Sequence, residues 1–170
     1  MSETNQSKLA AIVGAGVAAV LLTFVALEES GGRKYYSAYV DIAGVATICD
    51  GLTRYENGVR VRVGDRRTEA QCAALLDDAL ARTAAKVLAC TPQLRGRDNQ
   101  TLAAISLAYN IGEGAYCKST VARRFRAGQW RAGCDGFLAW NKARVGGVLR
   151  PVQGLTSRRQ RERAVCLKGL

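Results

Sequence analysis

The chain has 170 residues, enough for one domain of about 100–150 residues plus a terminal appendage but not for two substantial domains. It contains no histidine, which excludes Ser-His-Asp and Cys-His catalysis and HExxH zinc sites, so its chemistry must run on carboxylates, hydroxyls or thiols. With 25 Lys+Arg against 14 Asp+Glu the net charge is +11, and 48% hydrophobic residues can bury a core, so the composition describes a folded protein that meets an anionic neighbour.

Residues 9–27, LAAIVGAGVAAVLLTFVAL, are 19 uncharged residues that would span about 28 Å as a helix, close to the hydrocarbon core of a bilayer. Ten of them are Leu, Ile, Val or Phe; the other nine are Ala, Gly or Thr, which contribute little to insertion, so a membrane anchor built on them is weak. Lys8 before the run and Glu28-Glu29 after it put the N-terminus in the cytoplasm and the remainder outside. Three readings are open: a cleaved signal peptide, a permanent anchor, and a weakly apolar anchor that leaves the bilayer and packs as an N-terminal helix. The Gly and Ala content favours the last. Six cysteines, at 49, 72, 90, 117, 134 and 166, are even in number and not arranged as CxxC pairs, which points to disulfides in an oxidising compartment rather than to zinc.

Ser30-Gly31-Gly32 marks a flexible joint. Residues 35–65 read as short strands and a hairpin, with Val59-Arg60-Val61-Arg62-Val63 alternating after the turn Glu56-Asn57-Gly58. Thr68 and Gln71 form a capping box that opens a helix carrying Cys72, Leu75, Leu76, Ala79, Leu80, Val87 and Leu88 inward and ending before Thr91-Pro92. Asn99–Asn110, Ser119–Ala127, Trp130–Trp140 and Thr156–Leu167 also read as helices, separated by turns at Ile111–Gly114, Ala127-Gly128 and Val145–Leu149. The expected fold is α+β, a small β lobe followed by a helical lobe, with no internal repeat.

Acids at 28, 29 and 41, with Thr47 inside GVATICDGLTR, are the candidate chemistry. Glycoside hydrolysis needs one protonated carboxyl to donate to the leaving oxygen and one ionised carboxylate to activate water or stabilise the oxocarbenium-like transition state. Among 14 acids, chance pairs are numerous and most such groups are solvated surface residues.

The block AYVDIAGVATICDG at 38–51 resembles the Ala-Tyr-x-Asp, five-residue spacer, Thr and Gly-hairpin block of the bacteriophage lysozymes or endolysins of glycoside hydrolase family 24. YNIGEGAYCKSTVARRF at 109–125 resembles their Asn-x-Gly turn and Ser-Thr helix, and GLTSRRQRERAVC at 154–166 their C-terminal Arg-Arg-x-x-Glu helix. The resemblance implies a lysozyme-like fold and a Glu–Asp–Thr catalytic triad in which Asp41 and Thr47 are the second and third members. The family's usual spacing would put the glutamate at position 32, which is Gly32 here; Glu29 is the nearest acid, with eleven residues between it and Asp41, Glu28 is the runner-up, and a mere flank of the anchor is the alternative for both. Ser30-Gly31-Gly32 could let the longer loop close to the same geometry. Glu29 would protonate the glycosidic oxygen, while Asp41 and the Thr47 hydroxyl orient water for an inverting attack. The implied substrate is the β-1,4 bond between N-acetylmuramic acid and N-acetylglucosamine in peptidoglycan, with no cofactor and no metal.

Because Glu29 lies two residues beyond Leu27, tethering in the bilayer would hold it away from Asp41. The expectation is therefore an endolysin of the signal-anchor-release type: residues 1–28 a cytoplasmic tip and membrane segment, residues 29–170 the catalytic domain. It would be inactive in the host inner membrane, then released as a soluble periplasmic monomer. By position in the resembling fold, the cysteines pair as Cys49 with Cys72, Cys90 with Cys117 and Cys134 with Cys166. With no cysteine in 9–27 and Asp at 41, thiol-exchange activation is the lesser alternative. A lytic transglycosylase, which needs one glutamate, and a non-catalytic membrane-anchored wall-binding protein are the competing readings. Nucleic-acid binding fits the charge but lacks an aromatic or helix-turn-helix readout element. Arg144, Arg150, Arg158, Arg159, Arg161, Arg163 and Lys168 read as a solvated basic face with attraction to an anionic wall or membrane as the alternative. Phe125, Trp130, Phe137 and Trp140 read as core, and Tyr35, Tyr36 and Tyr39 lie nearest the expected cleft.

Overall fold

The computed structural model describes residues 7–31, 35–41, 44–55 and 57–170; Gly32 of the expected joint and Glu56 of the expected turn lie outside them. The chain divides into two compact units, Met1–Arg82 and Thr83–Leu170.

In the first unit the uncharged run does not form one helix. Gly14, at φ 85°, ends α1 (Lys8–Val13) and starts α2 (Ala15–Ser30), because its left-handed backbone cannot continue the helical turn. No helix of the described residues is long and apolar enough to cross a membrane. Ser7 caps α1 by accepting from the Ala10 N–H at 3.0 Å and itself donates to Asp77, whose other oxygen accepts from the Lys8 N–H at 2.8 Å. Lys8 Nζ pairs with Asp78 at 2.6 Å. Leu9, Val17, Ala18, Leu21 and Val25 are buried. Ala18, Leu21, Val25 and Glu29 recur at three- and four-residue intervals, so the acid shares the face on which α2 buries its apolar side chains.

Strands β1 (Tyr35–Val40) and β2 (Ala46–Cys49) are antiparallel, with Tyr39 opposite Thr47, Val40 opposite Ala46 and a register shift between Tyr35 and Tyr39. The expected Val59–Val63 strand is absent among the described residues: only Arg54↔Arg60 bridges, beside turn bonds from Tyr55 N to Val59 O and Val61 N to Thr53 O. Val61 alone of its three valines is buried, so the alternation has too little surface to pack against. The capping box forms as read, Thr68 N to Gln71 Oε1 at 2.9 Å and Gln71 N to Thr68 Oγ1 at 3.2 Å, and opens α3 (Glu69–Cys90). Cys49–Cys72 ties β2 to α3.

The second unit takes in the end of α3, then α4 (Asp98–Ile111), α5 (Glu113–Lys118), α6 (Thr120–Arg126), α7 (Trp130–Asp135), a hairpin of β3 (Lys142–Val145) and β4 (Val148–Pro151), and α8 (Gln153–Cys166). The expected helix over Trp130–Trp140 is α7 followed by a 3-10 turn, Gly136–Trp140. Helix α5 and the β3–β4 hairpin replace what read as turns. Phe125 and Phe137 are fully buried, and Phe125 stacks on Trp130 at 5.6 Å. Cys90–Cys117 and Cys134–Cys166 complete the pairing implied by the resemblance. Among the described residues these elements give the expected α+β class, with a helical majority and two small antiparallel sheets.

The basic C-terminal face needs a correction. Helix α8 buries Arg158, Arg159 and Glu162 instead of exposing them. Glu162 meets Arg158 Nε at 3.1 Å and Arg159 Nε at 2.9 Å, and Ser106 Oγ of α4 donates to it at 2.7 Å. Burial pushes the Glu162 carboxyl above its ordinary value, against the pull of Arg159 and Arg158. Arg159 Nη2 also donates to Asn110 Oδ1 at 3.0 Å, fixing a side chain in the last turn of α4. Charge counted from composition is solvated by default; three ionic groups on one helix turn can be buried only as a set.

Candidate active site

The site builds on β1, the turn after it, and the end of α2, all within the first unit. Asp41 follows the last residue of β1 and is held by the turn it opens. Its backbone N–H donates to Val45 O at 2.9 Å, its Oδ1 accepts from the Val45 N–H at 2.9 Å, and its carbonyl accepts from the Gly44 N–H at 3.0 Å. Thr47, on β2, is 3% exposed, and its hydroxyl lies 3.1 Å from Val45 O and 3.4 Å from Asp41 Oδ2. The five-residue spacer thus brings Asp41 and Thr47 together through one tight turn.

Glu29 reaches the same neighbourhood from the last turn of α2, which Gly31 ends in the left-handed region (φ 60°) with its N–H on Leu27 O. Gly51, at φ 84°, sits against the glutamate: a Cβ there would lie 3.2 Å from Glu29 Oε2. Gly51 is the residue that sequence reading missed; its only signal was a glycine in the hairpin block. Tyr39 joins the two acids. Burial pushes its phenol above the ordinary value, and Tyr35, Asp41 and Glu29 push the same way, so both carboxylates lie within electrostatic reach of one ring. Tyr39 therefore remains a protonated hydrogen-bond donor at neutral pH. Its ring lies 4.6 Å from that of Tyr35.

The structure thus gathers Glu29, Asp41, Thr47 and Tyr39, and Gly51 contacts Glu29 rather than Glu28. Asp50, beside Gly51, is buried. Chemically, the arrangement offers one acid on a helix face, a second carboxylate with one oxygen fixed, and a hydroxyl beside it. Among the described residues no group of three or more His, Cys, Asp or Glu is placed to hold a metal ion.

Residues 29–162 match the phage lysozyme family model. The SAR-endolysin of Enterobacteria phage P21 is 33% identical over 99% of each chain. Among solved structures, the endolysin from Escherichia coli O157:H7 phage FAHEc1 superposes with TM-score 0.77 at 26% identity, over 93% of this chain and 94% of its own. The P1 phage endolysin Lyz supplies a contrast in fold: its active form matches at TM-score 0.71 and 23% identity over 95% of this chain and 92% of its own. Its secreted inactive form matches at only 0.55 and 22%, over 90% and 94%. With the family model covering most of its length and a full-length relative at this identity, the chain belongs to the phage lysozyme family.

Proposed function

We infer that the chain is a phage endolysin, a lysozyme-type muramidase that cleaves peptidoglycan and lyses the host. The bond cleaved is the β-1,4 linkage between N-acetylmuramic acid and N-acetylglucosamine. The observation that carries this reading is the convergence of Glu29, Asp41 and Thr47 around Tyr39 in a chain of this family.

Glu29 is the general acid that protonates the glycosidic oxygen. The Thr47 hydroxyl hydrogen is directed to Val45 O or Asp41 Oδ2, which leaves its lone pairs to accept from a water. A water that donates one hydrogen to Thr47 and the other to Asp41 presents its own lone pair to the anomeric carbon, and attack opposite the leaving group inverts the configuration.

Residues 1–28 are the cytoplasmic tip and signal-anchor-release segment, and residues 29–170 the catalytic domain. Before release the chain is held in the host inner membrane through 9–27 and is inactive; afterwards it is soluble in the periplasm, with that segment packed as an N-terminal apolar helix interrupted at Gly14. Burial of Leu9, Val17, Leu21 and Val25 and the Asp77 and Asp78 bonds to Ser7 and Lys8 support this reading, as does the greater likeness to the active form of the P1 enzyme.

The test is clearing of outer-membrane-permeabilised cells by wild type, Glu29→Gln and Glu28→Gln, with mass spectrometry of the released muropeptides. Wild type should clear the cells and leave hydrolysed ends, one water heavier than anhydro-muramyl ends. Glu29→Gln should lose about a hundredfold or more, while Glu28→Gln stays active. Anhydro ends would make the enzyme a transglycosylase, and an active Glu29→Gln would remove Glu29 as the acid.

A further inference from the structure

The β3–β4 hairpin has an uneven surface. Residues 136–157 contain Lys142, Arg144 and Arg150 and no acid. Gly146 and Gly147, at φ 58° and 81°, make the two-residue turn that matches the right-handed twist of the strands. The register pairs Lys142 with Pro151, Ala143 with Arg150, Arg144 with Leu149 and Val145 with Val148. The apolar side chains are therefore concentrated beside the turn, while Lys142 and Arg150 stand further back along the strands. Val145 is 54% exposed, Val148 52% and Leu149 61%. Arg144 Nη1 donates to Gly147 O at 3.1 Å, which holds the tip in shape without covering it.

Single exposed aliphatics are ordinary; three beside one turn, with Lys142, Arg144 and Arg150 along the same two strands, are not. At about 3.4 Å per residue, the three steps from Lys142 to Val145 measure about 10 Å. A side chain entering a bilayer interface goes about 5–10 Å into the headgroup and acyl boundary. Long Lys and Arg side chains behind such a tip reach back to the phosphates, since their stems tolerate apolar surroundings and their heads do not.

We propose that the β3–β4 hairpin is a docking element for an anionic phospholipid bilayer, with Val145, Val148 and Leu149 in the acyl boundary and Lys142, Arg144 and Arg150 on lipid phosphates. This contact is separate from residues 9–27 and from the muramidase chemistry. It gives the released, soluble enzyme a second and reversible contact with the membrane surface. A hydrated anionic glycan would satisfy the cations, but it has no use for three projecting aliphatics, and that favours lipid.

The test is co-sedimentation of the full chain with vesicles of phosphatidylglycerol in phosphatidylethanolamine and, separately, of phosphatidylcholine alone. Residues 9–27 are common to every protein compared, so differences between variants report the hairpin. Val145→Thr with Val148→Thr and Leu149→Thr keeps branched strand formers and should lower partition onto the anionic vesicles about tenfold. Lys142→Gln with Arg150→Gln should lower it roughly twentyfold at low salt and change little on phosphatidylcholine, at about fivefold per cation. Hydrolysis of soluble peptidoglycan fragments, read as released muropeptides in the same preparations, should be unchanged in both variants and shows that they are folded. In Val148→Trp, brominated lipid should quench more fluorescence than in wild type. Equal partition of wild type and the threonine variant would overturn the proposal, as would a tip that lipid does not quench. Loss of binding to purified sacculi with vesicle binding intact would also overturn it, and would assign the hairpin to the wall.

Discussion

Replacing Gly51 by alanine tests how closely the acid is held. Two costs arise, and they can be separated. The first is backbone: at φ 84° a Cβ is strained by about 1–2 kcal/mol. For a chain of this length that lowers Tm by roughly 2–8 °C and leaves the protein folded at assay temperature. The second is contact: the new methyl would sit 3.2 Å from Glu29 Oε2, 3.6 Å from Glu29 Cβ and 3.8 Å from Glu29 Cδ, so the carboxyl must give by a few tenths of an ångström. A displacement of about 1 Å costs about a hundredfold in rate, and catalytic groups tolerate about 0.5 Å. Gly51→Ala should therefore lower kcat roughly tenfold. Gly58→Ala is the control, since Gly58 has φ 77° and nothing within 4 Å of its would-be Cβ. It pays the backbone cost alone and should keep full kcat. The assay is initial clearing rate at saturating substrate beside a thermal melt of each variant. If Gly51→Ala and Gly58→Ala turn over equally, the Gly51–Glu29 contact does not position the acid.

Glu162→Gln removes the carboxylate charge between the buried Arg158 and Arg159. Breaking a buried pair of this kind costs about 3–5 kcal/mol, so Tm should fall by roughly 6–20 °C; a fall below about 2 °C would show that the cluster contributes little. Gly16→Leu adds apolar surface to the proposed anchor at a position with nothing within 4 Å of a new Cβ and no positive φ, so the released fold should tolerate it. It should hold the protein in the membrane longer and delay lysis in an induced culture, and unchanged lysis timing would refute a release step governed by hydrophobicity.

What was legible in the sequence was local. The Thr68–Gln71 box and the Asp41–Thr47 turn each close within a few residues, so their geometry follows from spacing. The disulfide pairing came from the resemblance, because fifteen pairings of six cysteines are consistent with spacing alone. The hairpin was illegible for the opposite reason: with both its faces exposed, Lys142–Pro151 carries no inward period, and only the Gly146-Gly147 turn was visible. Helix α5 was hidden by Gly112, which ends α4 and caps α5 at once. The buried arginines were misread because their burial depends on Ser106 and Asn110, about fifty residues away in sequence.

The choice between Glu28 and Glu29 was equally beyond spacing, since adjacent residues on a helix point about 100° apart. Both acids border the stripe of Ala18, Leu21 and Val25, Glu28 three residues after Val25 and Glu29 four, so helical phase does not separate them; the glutamate that Gly51 sits against is Glu29. The apolar side chains that a bilayer would solvate are the ones α2 buries when folded, and the acid rides on the same face. Withdrawing that face into lipid removes the packing that orients Glu29 and the acid itself in one step. On the proposed reading, inhibition by tethering needs no separate blocking element, because the helix proposed as the anchor also carries Glu29, the proposed acid.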